Sequence, residues 1–355
     1  MHLNKERFQD DLIHWFLAEK RDLPWRRTSD PYQIWVSEIM LQQTRVDAVI
    51  PYYKRFIEKF PTIDALASAD EQHLLKQWEG LGYYSRARNL QAGVREVAET
   101  YGGIVPDDRK SISTLKGVGP YTAGAILSIA YGKPEHAVDG NVMRVLSRIL
   151  LITEDIARPK TRKIFEEAVT DIISHEDPSS FNQGLMELGA LICTPTSPKC
   201  LLCPVREHCR AFDEGKERDL PVKTKAKKTK AVQYAMVALH NEGRVLMEQR
   251  PDKGLLASMW QFPLIEVTKE PMPHDVEERL SETMQEVVEG AEKIISFKHV
   301  FSHLTWEVNG FIARTPDVPA PERMKWVDAA QLEVLPLAGP AQKMKQAIQL
   351  KGVIQ

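Results

Sequence analysis

Leu115-Lys116-Gly117-Val118-Gly119-Pro120, running into Tyr121, is the stretch on which the fold turns. It lies between a helical run and the helix expected to begin at Tyr121, and its glycines permit a tight turn with exposed backbone N–H groups. At a helix N-terminus such a turn can hold a DNA phosphate without reading base sequence. Taken alone, the plainer reading is an ordinary loop joining two helices.

Outward from the turn, apolar residues recur at helical spacing. Val142, Val145, Leu146 and Ile149 make one stripe, and Phe8, Leu12, Trp15 and Phe16 make another among charged neighbours. From residue 1 to about Phe212 the pattern predicts an all-helical domain. Asp213 to Lys230 then carries Lys223, Lys225, Lys227, Lys228 and Lys230 with almost nothing apolar, and reads as a solvated linker first and a DNA contact second. From residue 231 to 355 the period changes. Val232, Tyr234 and Met236 alternate, Asn241-Glu242-Gly243 turns the chain, and Val245 to Met247 returns it as a β-hairpin. Val276, Leu280, Met284, Val287 and Val288 form a helical stripe, followed by strand-like residues from Ile294 to Arg314 and a helix near Ala341 to Leu350. This second domain is expected to be α+β.

The 355 residues, 43% of them hydrophobic, exceed what one ordinary core holds, in agreement with two domains. Lys and Arg total 47 against 49 Asp and Glu, so any DNA-binding face must be local. Met1 to Lys20 lacks the apolar core of a signal peptide, and no apolar run reaches membrane-spanning length. The expectation is a cytoplasmic protein, nucleoid-associated if bacterial, with no membrane partner.

In a reducing compartment thiols are kept from pairing as disulfides, which leaves metal binding as the expectation for the four cysteines. Cys193, Cys200, Cys203 and Cys209 are separated by six, two and five residues and fall within one short loop. Zinc commonly uses two short cysteine pairs on separate turns, whereas one continuous loop can wrap an iron–sulfur cube; spacing favours the cube modestly. Lys199, Arg206 and Arg210 add positive charge there, either to meet DNA phosphate or to offset the charge of the metal site.

Six features occur together: Leu23-Pro24-Trp25-Arg26, Trp35-Val36-Ser37-Glu38-Ile39-Met40-Leu41-Gln42-Gln43-Thr44, Leu81-Gly82-Tyr83-Tyr84-Ser85-Arg86-Ala87-Arg88-Asn89-Leu90, the glycine turn, Val138-Asp139-Gly140-Asn141, and the four cysteines. With them the chain resembles, over nearly its whole length, the adenine DNA glycosylase family of the helix-hairpin-helix superfamily, which also includes endonuclease III. The resemblance implies a helix-hairpin-helix glycosylase domain with a 4Fe-4S cluster loop and a Nudix-like C-terminal domain. It also implies a monomer that removes adenine opposite 8-oxoguanine or guanine in double-stranded DNA, and a monovalent or calcium ion at the hairpin of Gly117 and Gly119.

Breaking an N-glycosidic bond leaves positive charge on the sugar and negative charge on the departing base. The chemistry therefore wants one proton donor and one fixed anion, which two carboxylates in unlike surroundings can supply. Glu38 sits among Ile34, Trp35, Ile39, Met40 and Leu41, where scarce water should raise its pKa. Asp139 precedes the helical run Val142 to Leu150, whose N-terminal dipole should keep it charged. In isolation Glu38 would read as a surface carboxylate and Asp139 as a helix cap.

The family mechanism, carried to these positions, has Glu38 protonate adenine N7 and Asp139 stabilise or transiently bond the oxocarbenium-like sugar, with Tyr121 and Asn141 in support. Bifunctional relatives carry lysine where Tyr121 stands, so Schiff-base strand cutting is not expected. Gln43 and Tyr83 match residues that enter the opened duplex. Arg21, Leu23, Trp25 and Gln183 match the adenine pocket, with core packing the alternative for Leu23 and Trp25; Arg26 and Leu81 are expected among the residues that bind DNA or its bases. Phe301-Ser302-His303 matches the loop that reads 8-oxoguanine, with a polar turn as the plain alternative. The helix expected over Asp275 to Gly290 lacks the acidic pattern that holds magnesium in true Nudix hydrolases, so nucleotide hydrolysis is not expected. A bifunctional lyase and a noncatalytic DNA-damage sensor are the competing readings.

Overall fold

The computed structural model describes residues 3–224 and 229–354; Lys225, Lys227 and Lys228 of the basic run lie outside the described residues. Two compact units emerge: Met1–Ser68 with Asn89–Ala226, and Ala69–Arg88 with Lys227–Gln355. In chain order the helices are α1 (Lys5–Glu19), α2 (Pro31–Leu41), α3 (Val46–Lys59), α4 (Ile63–Ala67), α5 (Glu71–Trp78), α6 (Ser85–Thr100), α7 (Arg109–Ile112), α8 (Pro120–Ile129), α9 (Gly140–Ile149), α10 (Pro159–Ile172), α11 (Pro178–Leu191) and α12 (Arg210–Asp213). Short polar residues start many of them. Asp30, Asp70, Asp139 and Asp177 each accept a backbone N–H from the first turn they precede, and Pro31, Pro120, Pro159 and Pro178 occupy first-turn positions that lack an N–H partner in any case.

The stripe Val142, Val145, Leu146 and Ile149 is core. It meets Phe8 and Leu12 of α1, Phe165 and Val169 of α10, and Phe181, Leu185 and Leu188 of α11. Trp15 is only partly buried beside this cluster. The decisive turn closes through the Val118 N–H donating to the Leu115 carbonyl at 3.1 Å. Gly117 has φ +80°, and a Cβ there would lie 2.9 Å from that of Asn89, so the position needs glycine on both counts.

The expected solvated tether after Phe212 is corrected as far as Thr224. Leu220 is buried, its carbonyl accepts from Arg148, the Val222 carbonyl accepts from the Ile156 N–H, and the Thr224 N–H and hydroxyl both donate to Asp155. Composition missed this because most of the anchoring groups are backbone atoms, which every residue carries.

In the second unit one mixed sheet contains β1 (Lys230–Asn241), β2 (Arg244–Gln249), β3 (Trp260–Gln261), β4 (Leu264–Val267), β5 (Glu289–Val300), β6 (Leu304–Arg314) and β7 (Met324–Val327). The expected hairpin is β1–β2, with His240 opposite Val245. The strand-like stretch from Ile294 to Arg314 is two antiparallel strands, β5 and β6, turning at 301–303, and β6 runs parallel to β1. Both sheet faces are covered. Met236, Ala238, Trp306 and Val308 pack with α15 (Gly339–Leu350); Ala235, Val237, Leu239 and Phe311 pack with α13 (Pro273–Met284), while α14 (Ala329–Val334) precedes α15. Double coverage makes the middle of β1 continuously apolar instead of alternating. Val287, part of the expected helical stripe, lies beyond α13 and is exposed.

Helix α5 joins this unit through long-range hydrogen bonds. Gln72 donates to the Ser258 carbonyl and accepts from Trp260, Lys76 donates to the Leu335 carbonyl, and Glu79 accepts from the Leu337 N–H and from Gln342.

Candidate active site

A cleft of about 1120 Å³ opens in the first unit, lined from α2, α8, α9 and α11 and from the turns before them. Glu38 faces it from α2, whose residues 34 to 40 are all buried, so the surface-carboxylate reading fails. At 5% exposure, burial pushes the Glu38 carboxyl up to about 7, Asp139 pushes the same way, and a hydrogen bond from Tyr121 opposes both. The Tyr121 hydroxyl, on the first turn of α8, donates to Glu38 Oε2 at 2.5 Å and lies 3.5 Å from Met186 Sδ.

Asp139 is both a helix cap and a cleft residue. Its Oδ1 accepts from the Val142 N–H at 2.7 Å and its Oδ2 from Asn141 Nδ2 at 2.8 Å. Burial raises its pKa, with the Val142 amide and the Asn141 side chain pulling it back down. The expected dominance of the helix terminus is therefore corrected: desolvation is the larger influence, and the capping bonds offset it. Asn141 is held in turn by Arg144, which donates to Asn141 Oδ1 at 2.8 Å and to the Gly189 carbonyl at 2.9 Å. Arg144 also donates to the Cys193 carbonyl at 2.9 Å.

Arg21, Leu23, Trp25, Arg26, Gln43, Gly117, Gly119 and Gln183 line the same cleft. Leu23 and Trp25 are nearly buried, Trp25 packing edge-on to Tyr53, so they serve wall and core together. Sequence reasoning missed Glu187. It lies on the cleft face of α11 with Gln183, Met186 and Ala190, a spacing of three and four that marked one helix face in advance. Burial raises the Glu187 pKa, but forked hydrogen bonds from Arg21 and Arg26 outweigh it and hold the carboxyl at about 2. Arg26 also donates to Gln183 Oε1 at 3.2 Å, so this ion cluster fixes a wall of the cleft.

Leu81, Tyr83, Phe301, Ser302 and His303 belong to the second unit. Tyr83 is half exposed with φ +47°, and its hydroxyl lies 3.1 Å from Ser302 Oγ. Leu81 is buried, and Phe301 packs on Trp306 and His299, so within the turn at 301–303 Ser302 and His303 are the exposed pair. The four cysteines surround a separate cavity with Arg148, Val205 and Phe212. Burial pushes the Cys203 and Cys209 thiols up to about 12 and about 11.

A family model for helix-hairpin-helix superfamily base excision DNA repair proteins matches residues 36–171, and one for the NUDIX domain matches residues 234–347. The adenine DNA glycosylase of Homo sapiens is 33% identical across 96% of this chain and 74% of its own length. That of Schizosaccharomyces pombe is 32% identical across 93% and 87%. A thermostable thymine-DNA glycosylase structure aligns with TM-score 0.53 at 30% identity, covering 59% of this chain and 97% of that one. A trapped endonuclease III–DNA covalent intermediate aligns at 0.51 and 26%, covering 60% and 99%. Among the described residues no helix is long and apolar enough to cross a membrane. Two unlike carboxylates lining one cleft, a glycine turn between helices, a NUDIX-type second unit and relatives aligned over nearly the whole length all agree: the chain belongs to the adenine DNA glycosylase family of DNA N-glycosylases.

Proposed function

We propose that this chain, acting as a monomer, hydrolyses the N-glycosidic bond of adenine paired with 8-oxoguanine or guanine in duplex DNA. The observation that carries the reading is the pairing of a Glu38 carboxyl held near 7 with an Asp139 held by amide donors, both facing one open cleft. A nucleotide turned out of the helix would enter this cleft. Glu38 gives its proton to adenine N7, the C1′–N9 bond breaks with its electrons passing to the base, and Asp139 faces the cationic sugar. Water then adds to C1′ and returns a proton to Glu38. Tyr121 orients the acid, and Asn141 orients the anion. With a phenol at position 121 there is no amine to form a Schiff base.

The glycine turn supplies amides to a backbone phosphate. Gln43 and Tyr83 support the opened duplex, and Ser302 with His303 reads the partner base; oxidation gives 8-oxoguanine an N7–H that a serine hydroxyl accepts.

The cysteine loop suits a 4Fe-4S cluster. A single zinc ion would draw its sulfurs to about 2.3 Å from one centre. Yet the four cysteines surround one cavity, the arrangement a larger cube needs. Arg148, 1% exposed, donates to Cys193 Sγ at 3.1 Å, and a metal-bound thiolate would supply counter-charge to this buried cation. Bound there, the cluster would staple the loop; Cys193, Cys200, Cys203 and Cys209 would hold it.

The test is a single-turnover assay on adenine:8-oxoguanine duplexes with and without alkali. Base release with strand breaks only after alkali is expected for the wild type, and Glu38→Gln should bind the duplex while releasing no base. Full strand breakage before alkali contradicts the monofunctional reading, and undiminished release by Glu38→Gln removes the acid.

A further inference from the structure

The backbone from Gly80 to Tyr83 is unusual: Gly80, Gly82 and Tyr83 all have positive φ, at +100°, +71° and +47°. Tyrosine pays a steric penalty in that region that glycine does not, so something must hold Tyr83 there. Arg86 does so through its backbone and its side chain together. Its Nη2 donates to the Leu81 carbonyl at 3.2 Å and to the Gly82 carbonyl at 3.1 Å, and its backbone N–H donates to the Tyr83 carbonyl at 2.8 Å. Its guanidinium lies 5.5 Å from the centroid of the Trp78 ring and 5.5 Å from that of Tyr83. Trp78 is fully buried, and its Nε1 donates to the same Gly82 carbonyl at 3.2 Å, so the clamp is fixed to a buried side chain.

We propose that Arg86 is a positioning residue that presents the Tyr83 ring to the duplex. The inference rests on reading Tyr83 as the ring that enters opened DNA. A planar cation is what the geometry demands: one terminal nitrogen reaches two adjacent carbonyls while the flat guanidinium contacts two rings. A lysine ammonium keeps the charge and a donor but not the flat face that lies against both rings. Arg86 itself need not touch DNA.

The experiment is a double-mutant cycle on the full chain with Arg86→Lys, Arg86→Ala, Tyr83→Ala and the combined Arg86→Lys/Tyr83→Ala. Single-turnover adenine release is measured opposite 8-oxoguanine and opposite guanine, with thermal melting alongside; should Arg86→Ala misfold, Arg86→Lys carries the test. Arg86→Lys should melt near the wild type yet lose about tenfold of its rate or partner-base preference, and that loss should vanish in the Tyr83→Ala background. An equal loss with Tyr83 already removed overturns the inference, as does a wild-type rate for Arg86→Lys where Tyr83→Ala is impaired. If Tyr83→Ala itself matches the wild type in rate and preference, the reading of Tyr83 fails, and the inference falls with it.

Discussion

Glu38 concentrates the chemistry in one ionisation. Its carboxyl, ordinarily near 4.5, is pushed by burial to about 7, so the acid is available at neutral pH and lost above it. Single-turnover base release should therefore fall by about tenfold per pH unit once pH passes well above 7, and a flat profile from pH 6 to 9 would contradict the assignment. The same shift enters stability. Because the folded value lies above the unfolded one, the native state binds the extra proton, so its contribution is fully present below about 4.5 and is lost as pH rises through about 7. Glu38→Gln, which carries no such titration, should gain on the wild type between pH 5 and pH 8, by up to roughly 3 kcal/mol in urea unfolding. Glu187 has the opposite sign. Held at about 2, it stabilises the fold above the ordinary carboxyl value and loses that contribution as pH falls toward 2. Glu187→Gln leaves Arg21 and Arg26 sharing a poorly hydrated site without their anion, and should cost roughly 3 kcal/mol. Unchanged urea midpoints at pH 7 would show that the cluster is dispensable. Glu38 was legible in the sequence because apolar neighbours surround it in α2. Glu187 was passed over although its spacing from Gln183 places both on one helix face, since a lone carboxylate on a helix more often faces water.

At the scale of elements, α9 and α11 must approach closely for the Asp139–Asn141–Arg144 chain to form. Gly189 permits it: a Cβ there would lie 2.8 Å from Asn141 Cβ and 3.3 Å from Arg144 Nη2. Gly189→Ala should push Asn141 away from Asp139 and lower base release by about tenfold or more, with a smaller effect on melting than on rate. A wild-type rate would mean that the helices separate without disturbing the anion. The helix starts were readable from Asp-Pro pairs and Asp139, and the core stripe of α9 from its period. The joining of α5 to the second unit was not readable. Gln72, Lys76 and Glu79 look like solvated polar residues until partners more than 180 residues away in sequence supply their hydrogen bonds.

Over the whole molecule, Arg148 ties the cysteine loop to the connecting chain, donating to Cys193 Sγ, to the Thr194 and Pro195 carbonyls and to the Leu220 carbonyl. Replacing Cys203 with Ser should remove bound iron and sulfide and make the chain near residues 214–224 more sensitive to protease; unchanged iron content would refute the ligand assignment. The two-domain plan was legible because the hydrophobic period changes from helical to alternating after the basic run. The anchoring of residues 214–224 was hidden in backbone hydrogen bonds. The most direct measurement of the central chemistry is a crystal structure of the Glu38→Gln variant with an uncleaved adenine:8-oxoguanine duplex. The expected result is an extruded adenine in the cleft of the first unit, its N7 within hydrogen-bond distance of the side chain at position 38 and its C1′ facing Asp139. An adenine seated elsewhere, or one with N7 turned away from position 38 and Asp139 remote from the sugar, would contradict it.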